Sequence, residues 1–194
     1  MVAPVLSLTT SVGAVPSVIG EPFFRYTPIE KLPASTACTD PNNPTTTIAT
    51  NTLTLIVEKG NPLNITSLSD LASPQIRTVL CDVTQPCGKY SARILERANI
   101  VVEPRSRETS VSGVTQKVSS GEADAGIVYV TDALNNASKL DVVSIDKNIN
   151  ISNNYPIAAL TELSTVEQKA AQTFIDFVLG NGQIILNDYG FVSP

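Results

Sequence analysis

The stretch GEADAGIVYVTDA at residues 121–133 decides the architecture. Its centre, Ala125–Thr131, is the strongest strand signal in the chain, an apolar run of β-branched and aromatic residues. Just upstream, Thr109 or Ser110 caps a helix whose inner face is Val111, Val114 and Val118, at helical spacing. Just downstream, LDVVSI (Leu140–Ile145) reads as another strand. Strand and helix alternate around this segment, which predicts an α/β fold with a mostly parallel sheet.

Working outward, the same alternation holds. TLTLIV (Thr52–Val57) is a strand, KGNP at 59–62 a turn, and SLSDLASP a short helix ended by Pro74. IRTVLCD (Ile76–Asp82) reads as a strand buried on both faces, followed by a helix to Ala98 with Tyr90, Ile94 and Ala98 on one stripe. IVVE (Ile100–Glu103) is a further short strand, and YPIAAL (Tyr155–Leu160) another. Ser164 and Glu167 form a capping box opening a helix with Val166, Ala170, Phe174, Phe177 and Val178 on one side. NGQIILNDYGF at 181–191 is a last helix closed by Gly190. Residues 1–47 carry little periodicity and are rich in Pro, Thr and Ser, and TDPNNPTTT at 39–47 reads as a linker.

Composition excludes several functions. The 194 residues hold 13 Lys+Arg against 18 Asp+Glu, a net charge of −5, and no His. An acidic chain lacks the footprint of a nucleic-acid binder. Without His, neither a Ser/His/Asp nor a Cys/His nucleophile pair is available, nor a His-bearing metal site. No catalytic residues are assigned, and composition leans towards a binding protein.

Cys81 and Cys87 are close enough for a local disulfide across the turn-forming Pro86, or they form a reduced, half-buried pair; the Pro favours the bridge. Cys38 is then the odd one out, and STAC at 35–38 is a poor lipoprotein box because Ser35 stands where an aliphatic residue belongs. Residues 1–20 are uncharged but lack a basic start and are interrupted by Pro4 and Pro16, so they make no convincing signal peptide. The acids Glu122, Asp124 and Asp132 read as solvated strand-end charges, and Arg105 and Arg107 as surface residues.

ATNTLTLIV (49–57), LCDVTQPCGKY (80–90), KVSSGEADAGIVYVTDA (117–133), NNYPIA (153–158) and YGFVSP (189–194) occur in the order found in periplasmic molybdate-binding proteins. Over residues 48–194 the sequence resembles the solute-binding subunit of a bacterial molybdate ABC importer. The resemblance implies a type-2 periplasmic-binding fold. Residues 48–152 would be its second lobe, and 153–194 a strand and helices returning to the first. Residues 1–47 do not match, and the Ser turns with which the family's first lobe contacts the anion are not found there. The expectation is that part of that lobe is missing or replaced, which would weaken binding.

By resemblance, the backbone N–H groups of Cys87 and Val111 and the hydroxyl of Tyr129 contact the oxyanion, molybdate or tungstate. Helix N-termini suit this work, since their free N–H groups and dipole favour negative charge. The resemblance further implies no cofactor or protein-ligated metal, a monomer, permease and ATPase subunits as partners, and an extracytoplasmic location. Rival readings are a binding protein for another oxyanion or small solute, and a remnant without a transport role.

Overall fold

A computed structural model describes residues 45–160 and 163–194. Residues 1–44, which hold Cys38 and the 39–44 part of the expected linker, lie outside the described residues. The strands are β1 (Thr46–Glu58), β2 (Thr78–Cys81), β3 (Ser106–Glu108), β4 (Ala125–Tyr129), β5 (Leu140–Val143) and β6 (Ser152–Ile157). The helices are α1 (Pro86–Arg97), α2 (Val111–Ser119), α3 (Val130–Asn135), α4 (Thr165–Leu179) and α5 (Gly182–Asp188), with a 3-10 turn at Leu68–Ala72. The strand order is β3-β2-β4-β1-β5, and β6 also pairs with β1.

The sheet is mixed, not mostly parallel. β2 runs parallel to β3 and β4, whereas β1 is antiparallel to β4 and β5. Alternation of strand and helix reports the parallel half correctly. It is blind to β1, whose partners come from much later in the chain, and so cannot show that strand's direction.

Among the described residues the chain divides into two compact units, one of Asn51–Asn153 with Asp188–Phe191, the other of residues 45–50, Asn154–Asn187 and Val192–Pro194. In the first unit, side chains leave each strand alternately to two faces. Leu53, Leu55 and Val57 of β1, Leu80 of β2 and Ile127 of β4 join Ile94 and Leu95 of α1 in one apolar cluster. Ile56, Val79, Cys81 and Val128 pack with Val114 and Val118 of α2 and Ala133 of α3 in the other. Gly126 makes the second packing possible, because a Cβ there would stand 2.6 Å from Val114 Cγ1 and 2.9 Å from the Val79 carbonyl oxygen. Burial of β2 on both faces, expected from its apolar run, is found at every one of its residues.

Several boundaries differ from expectation. β1 begins at Thr46, so Thr46 and Thr47 belong to it and not to the linker, β5 stops at Val143, and the last helix spans only Gly182–Asp188. Ile100–Glu103 is not a strand: Val101 is 82% exposed, and the strand that pairs with β2 lies beyond Pro104, at Ser106–Glu108. β4 ends at Tyr129, and Val130 and Thr131 open α3 instead. β6 begins earlier than Tyr155 and stops at Ile157.

In the second unit, the capping box at the start of α4 is present, with the Ser164 hydroxyl accepting from the Glu167 N–H. The buried row of α4 is Ala171 and Ile175, packed around a small cavity with Ile157, Ala158 and Leu160, while Val166 stays 78% exposed. The helix carries two apolar rows, and the neighbouring residues choose between them. Gly190, which belongs to the first unit, has a φ of +87°, as a helix-terminating glycine does.

At the end of the sheet where β4 begins, Asp124 is buried and accepts from the Arg77 N–H at 2.6 Å and Nε at 3.0 Å, and pairs with Nη2. It is therefore not the solvated strand-end charge the sequence suggested. Burial pushes this carboxyl up, but the Arg77 hydrogen bonds outweigh it and hold it below the usual range. A depressed carboxyl stabilises the fold above its unfolded value and loses that contribution as pH falls through the folded one. Asp124→Asn should thus lower stability at pH 7 by about 1–2 kcal/mol, a figure discounted for the exposed Arg77 side chain. Urea unfolding at pH 7 and pH 3 checks this, with the gap between variant and parent expected to narrow in acid.

Candidate functional site

Parallel strands need a crossover between them. β2, β3 and β4 each leave the same edge of the sheet and lead into a helix: Cys81 to α1 at Pro86, Glu108 to α2 at Val111, and Tyr129 directly to α3 at Val130. Because β2 lies between the other two, three helix N-termini gather along one sheet edge. This is the edge at which open α/β sheets place their ligands.

The turn from β2 to α1 is tightly built. The Asp82 carboxylate accepts the Thr84 N–H at 2.9 Å and its hydroxyl at 2.6 Å, and these bonds hold Asp82 below the usual carboxylate range. The Asp82 carbonyl takes the Gln85 N–H at 2.9 Å. A disulfide joins Cys81 to Cys87 with the Cα atoms 5.8 Å apart, tying the last residue of β2 to the first turn of α1. Gly88 has no room for a side chain, since a Cβ would fall 2.0 Å from the Asp82 carbonyl oxygen. Pro86 opens the helix, where its missing N–H costs nothing. Helix geometry leaves the Cys87 and Gly88 N–H groups without an acceptor inside α1, and the Gln85 side chain makes no cap bond.

At α2 the cap is Ser110, one of the two residues expected there, whose hydroxyl accepts the Gly113 N–H at 3.2 Å. The Val111 and Ser112 N–H groups are left without an intrahelical acceptor. Val111 is half-buried, and its side chain packs against the cluster that contains Cys87, Val114 and Val118. Its role in packing therefore stands beside any role for its N–H.

Tyr129 closes β4 opposite Leu53 and packs against both apolar clusters. The fold thus gathers the three residues singled out in the sequence at one place: Cys87 belongs to one apolar cluster, and Val111 and Tyr129 pack against it. Sequence reasoning missed the support of Tyr129. Asp132, expected to be solvated, is half-buried, and burial pushes its carboxyl up although it accepts the Tyr129 N–H and its own. The signal available was its position three residues after the helix cap, where an acid reaches back to the cap N–H. Arg105 and Arg107 are exposed, as expected. Among the described residues, no three His, Cys, Asp or Glu stand together as a metal site would require.

Two outcomes test the turn. Thiol titration of unfolded, unreduced protein should find one free thiol per chain, Cys38, because Cys81 and Cys87 are bridged. Cutting that bridge with Cys81→Ser and Cys87→Ser together should cost about 2 kcal/mol in thermal or urea unfolding, the loop being short. Gly88→Ala should cost at least about 2 kcal/mol by the same measurement, since backbone must move to admit the methyl group.

Comparison with known proteins places this architecture. The model of bacterial extracellular solute-binding proteins matches residues 28–192. The molybdate-binding proteins ModA of Mycobacterium tuberculosis and Mycobacterium bovis are 39% identical over 150 residues, covering 77% of this chain and 57% of theirs. The chain therefore spans little more than half the length of these relatives. Among solved structures, the substrate-binding domain assigned to a molybdenum ABC transporter of Clostridium difficile superposes with a TM-score of 0.64 at 26% identity, over 77% of this chain and 66% of that one. Peb3 of Campylobacter jejuni, at 18% identity and a TM-score of 0.63 over 77% of this chain and 68% of its own, shares the fold. With most of its length matched and the sheet edge built as described, the chain belongs to the bacterial extracellular solute-binding protein family.

Proposed function

We propose that this chain binds a tetrahedral oxyanion, molybdate or tungstate, at the edge of the sheet where α1, α2 and Tyr129 meet. The observation that carries the reading is the convergence of the α1 and α2 N-termini and Tyr129 on one cluster. The likeness to mycobacterial molybdate-binding proteins supports the choice of ligand. In this reading the Cys87 and Val111 N–H groups and the Tyr129 hydroxyl donate to the anion, and the Asn51–Asn153 unit is the second lobe of a two-lobed binding protein.

The donors are neutral, and that matters for a chain of net charge −5, whose overall field does not attract anions. Recognition then rests on fixed local dipoles at short range. A neutral cage holds a dianion without the desolvation cost of burying a counter-ion, which suits a protein that must release its ligand again. Three donors leave at least one oxygen of a tetraoxo anion to other groups, so the shell described is part of the full coordination. The chain would act without chemical conversion, as a monomer outside the cytoplasm, and would hand its anion to the permease and ATPase of an ABC importer.

Titration calorimetry with sodium molybdate tests the reading. Saturable binding is expected, competed by tungstate and much less by sulfate; equal response to any dianion would leave only a generic anion site. Tyr129→Phe removes one hydrogen bond to a charged group and should weaken binding about tenfold to a hundredfold. An unchanged affinity would remove Tyr129 from the site.

A further inference from the structure

Asn51 is 1% exposed, yet only one edge of its amide is paired. Its Nδ2 donates to Thr131 Oγ1 at 3.0 Å, while Oδ1 has no hydrogen-bond partner. Exchanging the amide nitrogen and oxygen does not cure this, because the second edge is still left over. A buried polar atom without a partner is rare and costly, and an apolar residue of similar shape would avoid the cost. The residue that Asn51 does hold therefore becomes the point of interest.

Leu53 and Tyr129 are the last paired residues of the β1–β4 ladder at that end. Two residues further in the same register, Asn51 comes opposite Thr131, where β4 has already turned into α3. Backbone pairing ends there and the side-chain bond takes its place. Tyr129 lies at the bend, with its N–H held by the Asp132 carboxylate and the helix turn beyond it pinned by Asn51 through Thr131. Asn136 Nδ2 donates to the Asp132 carbonyl at 2.9 Å and steadies the same turn.

We propose that Asn51 and Thr131 are positioning residues of the oxyanion site, clamping the bend after β4 so that the Tyr129 hydroxyl is held in place for the anion. The inference rests on the reading of Tyr129 as an anion donor. It assigns to Asn51 a task that its own side chain performs without touching ligand.

The test is a double-mutant cycle on molybdate affinity, with Thr131→Val removing the hydroxyl at constant shape and Tyr129→Phe removing the donor. Thr131→Val should weaken binding about fivefold to fiftyfold in the parent and less than about twofold in the Tyr129→Phe background, with Thr131→Ser close to the parent. Equal losses in both backgrounds, or no loss in the parent, would overturn the proposal. Amide hydrogen exchange of Tyr129 without ligand separates this from a failure of the site reading. Thr131→Val should speed that exchange at least about tenfold and Thr131→Ser should not; unchanged exchange in Thr131→Val overturns the clamp whether or not molybdate binds. Should Thr131→Val not fold, Asn51→Ser carries both measurements with the same expected outcomes.

Discussion

The parallel pairing of β2 with β3 and with β4 is the constraint from which the rest of the Asn51–Asn153 unit follows. Parallel neighbours cannot be joined by a tight turn, so the chain must cross back each time, and it does so through α1 and α2. Each crossover covers one face of the sheet, giving the two apolar clusters. Each also starts a helix at the same edge, and that edge therefore collects backbone N–H groups that helix geometry leaves without acceptors. The candidate site is a consequence of how the sheet is wound.

Close packing then fixes where those N–H groups stand. Gly126 lets α2 approach β4, and Gly88 lets the first turn of α1 lie against the Asp82 carbonyl. The disulfide holds Cys87 to the end of β2. The three helix starts are not equivalent. At α3 the carboxylate of Asp132 already takes the Tyr129 N–H, so a protein anion occupies that terminus. At α2 Ser110 takes one N–H and leaves the earlier ones, and at α1 the Gln85 side chain takes none. Asp82 and Asp132 near the edge are thus engaged with the protein's own donors, which would limit their repulsion of the anion proposed to bind there.

Much of this was legible in the residues. β1, β2 and β4 announce themselves by β-branched apolar runs, Ser110 and Ser164 by their capping positions, and Gly190 by its place after the last helix. These are local signals, set by a residue and its near neighbours. Cys87, Val111 and Tyr129 are singled out only through resemblance, since each alone reads as an ordinary packing residue. The misses share a cause. IVVE has the composition of a strand but no strand to pair with, so Val101 faces solvent. α4 offers two apolar rows, and Ala171 and Ile175 are buried because Ile157, Ala158 and Leu160 lie against that row.

The sequence by itself determined which segments are strands and helices, where most of them begin, and which turn carries the cysteine pair, because torsional preference, capping and periodicity act over a few residues. Only the tertiary structure decided that β1 runs antiparallel between β4 and β5, that Asp124 is buried against Arg77, and that Asn51 reaches Thr131. The two side-chain contacts join residues 47 and 80 positions apart. Their register is set by burial on both faces of the whole sheet, a condition that no single stretch of the chain contains.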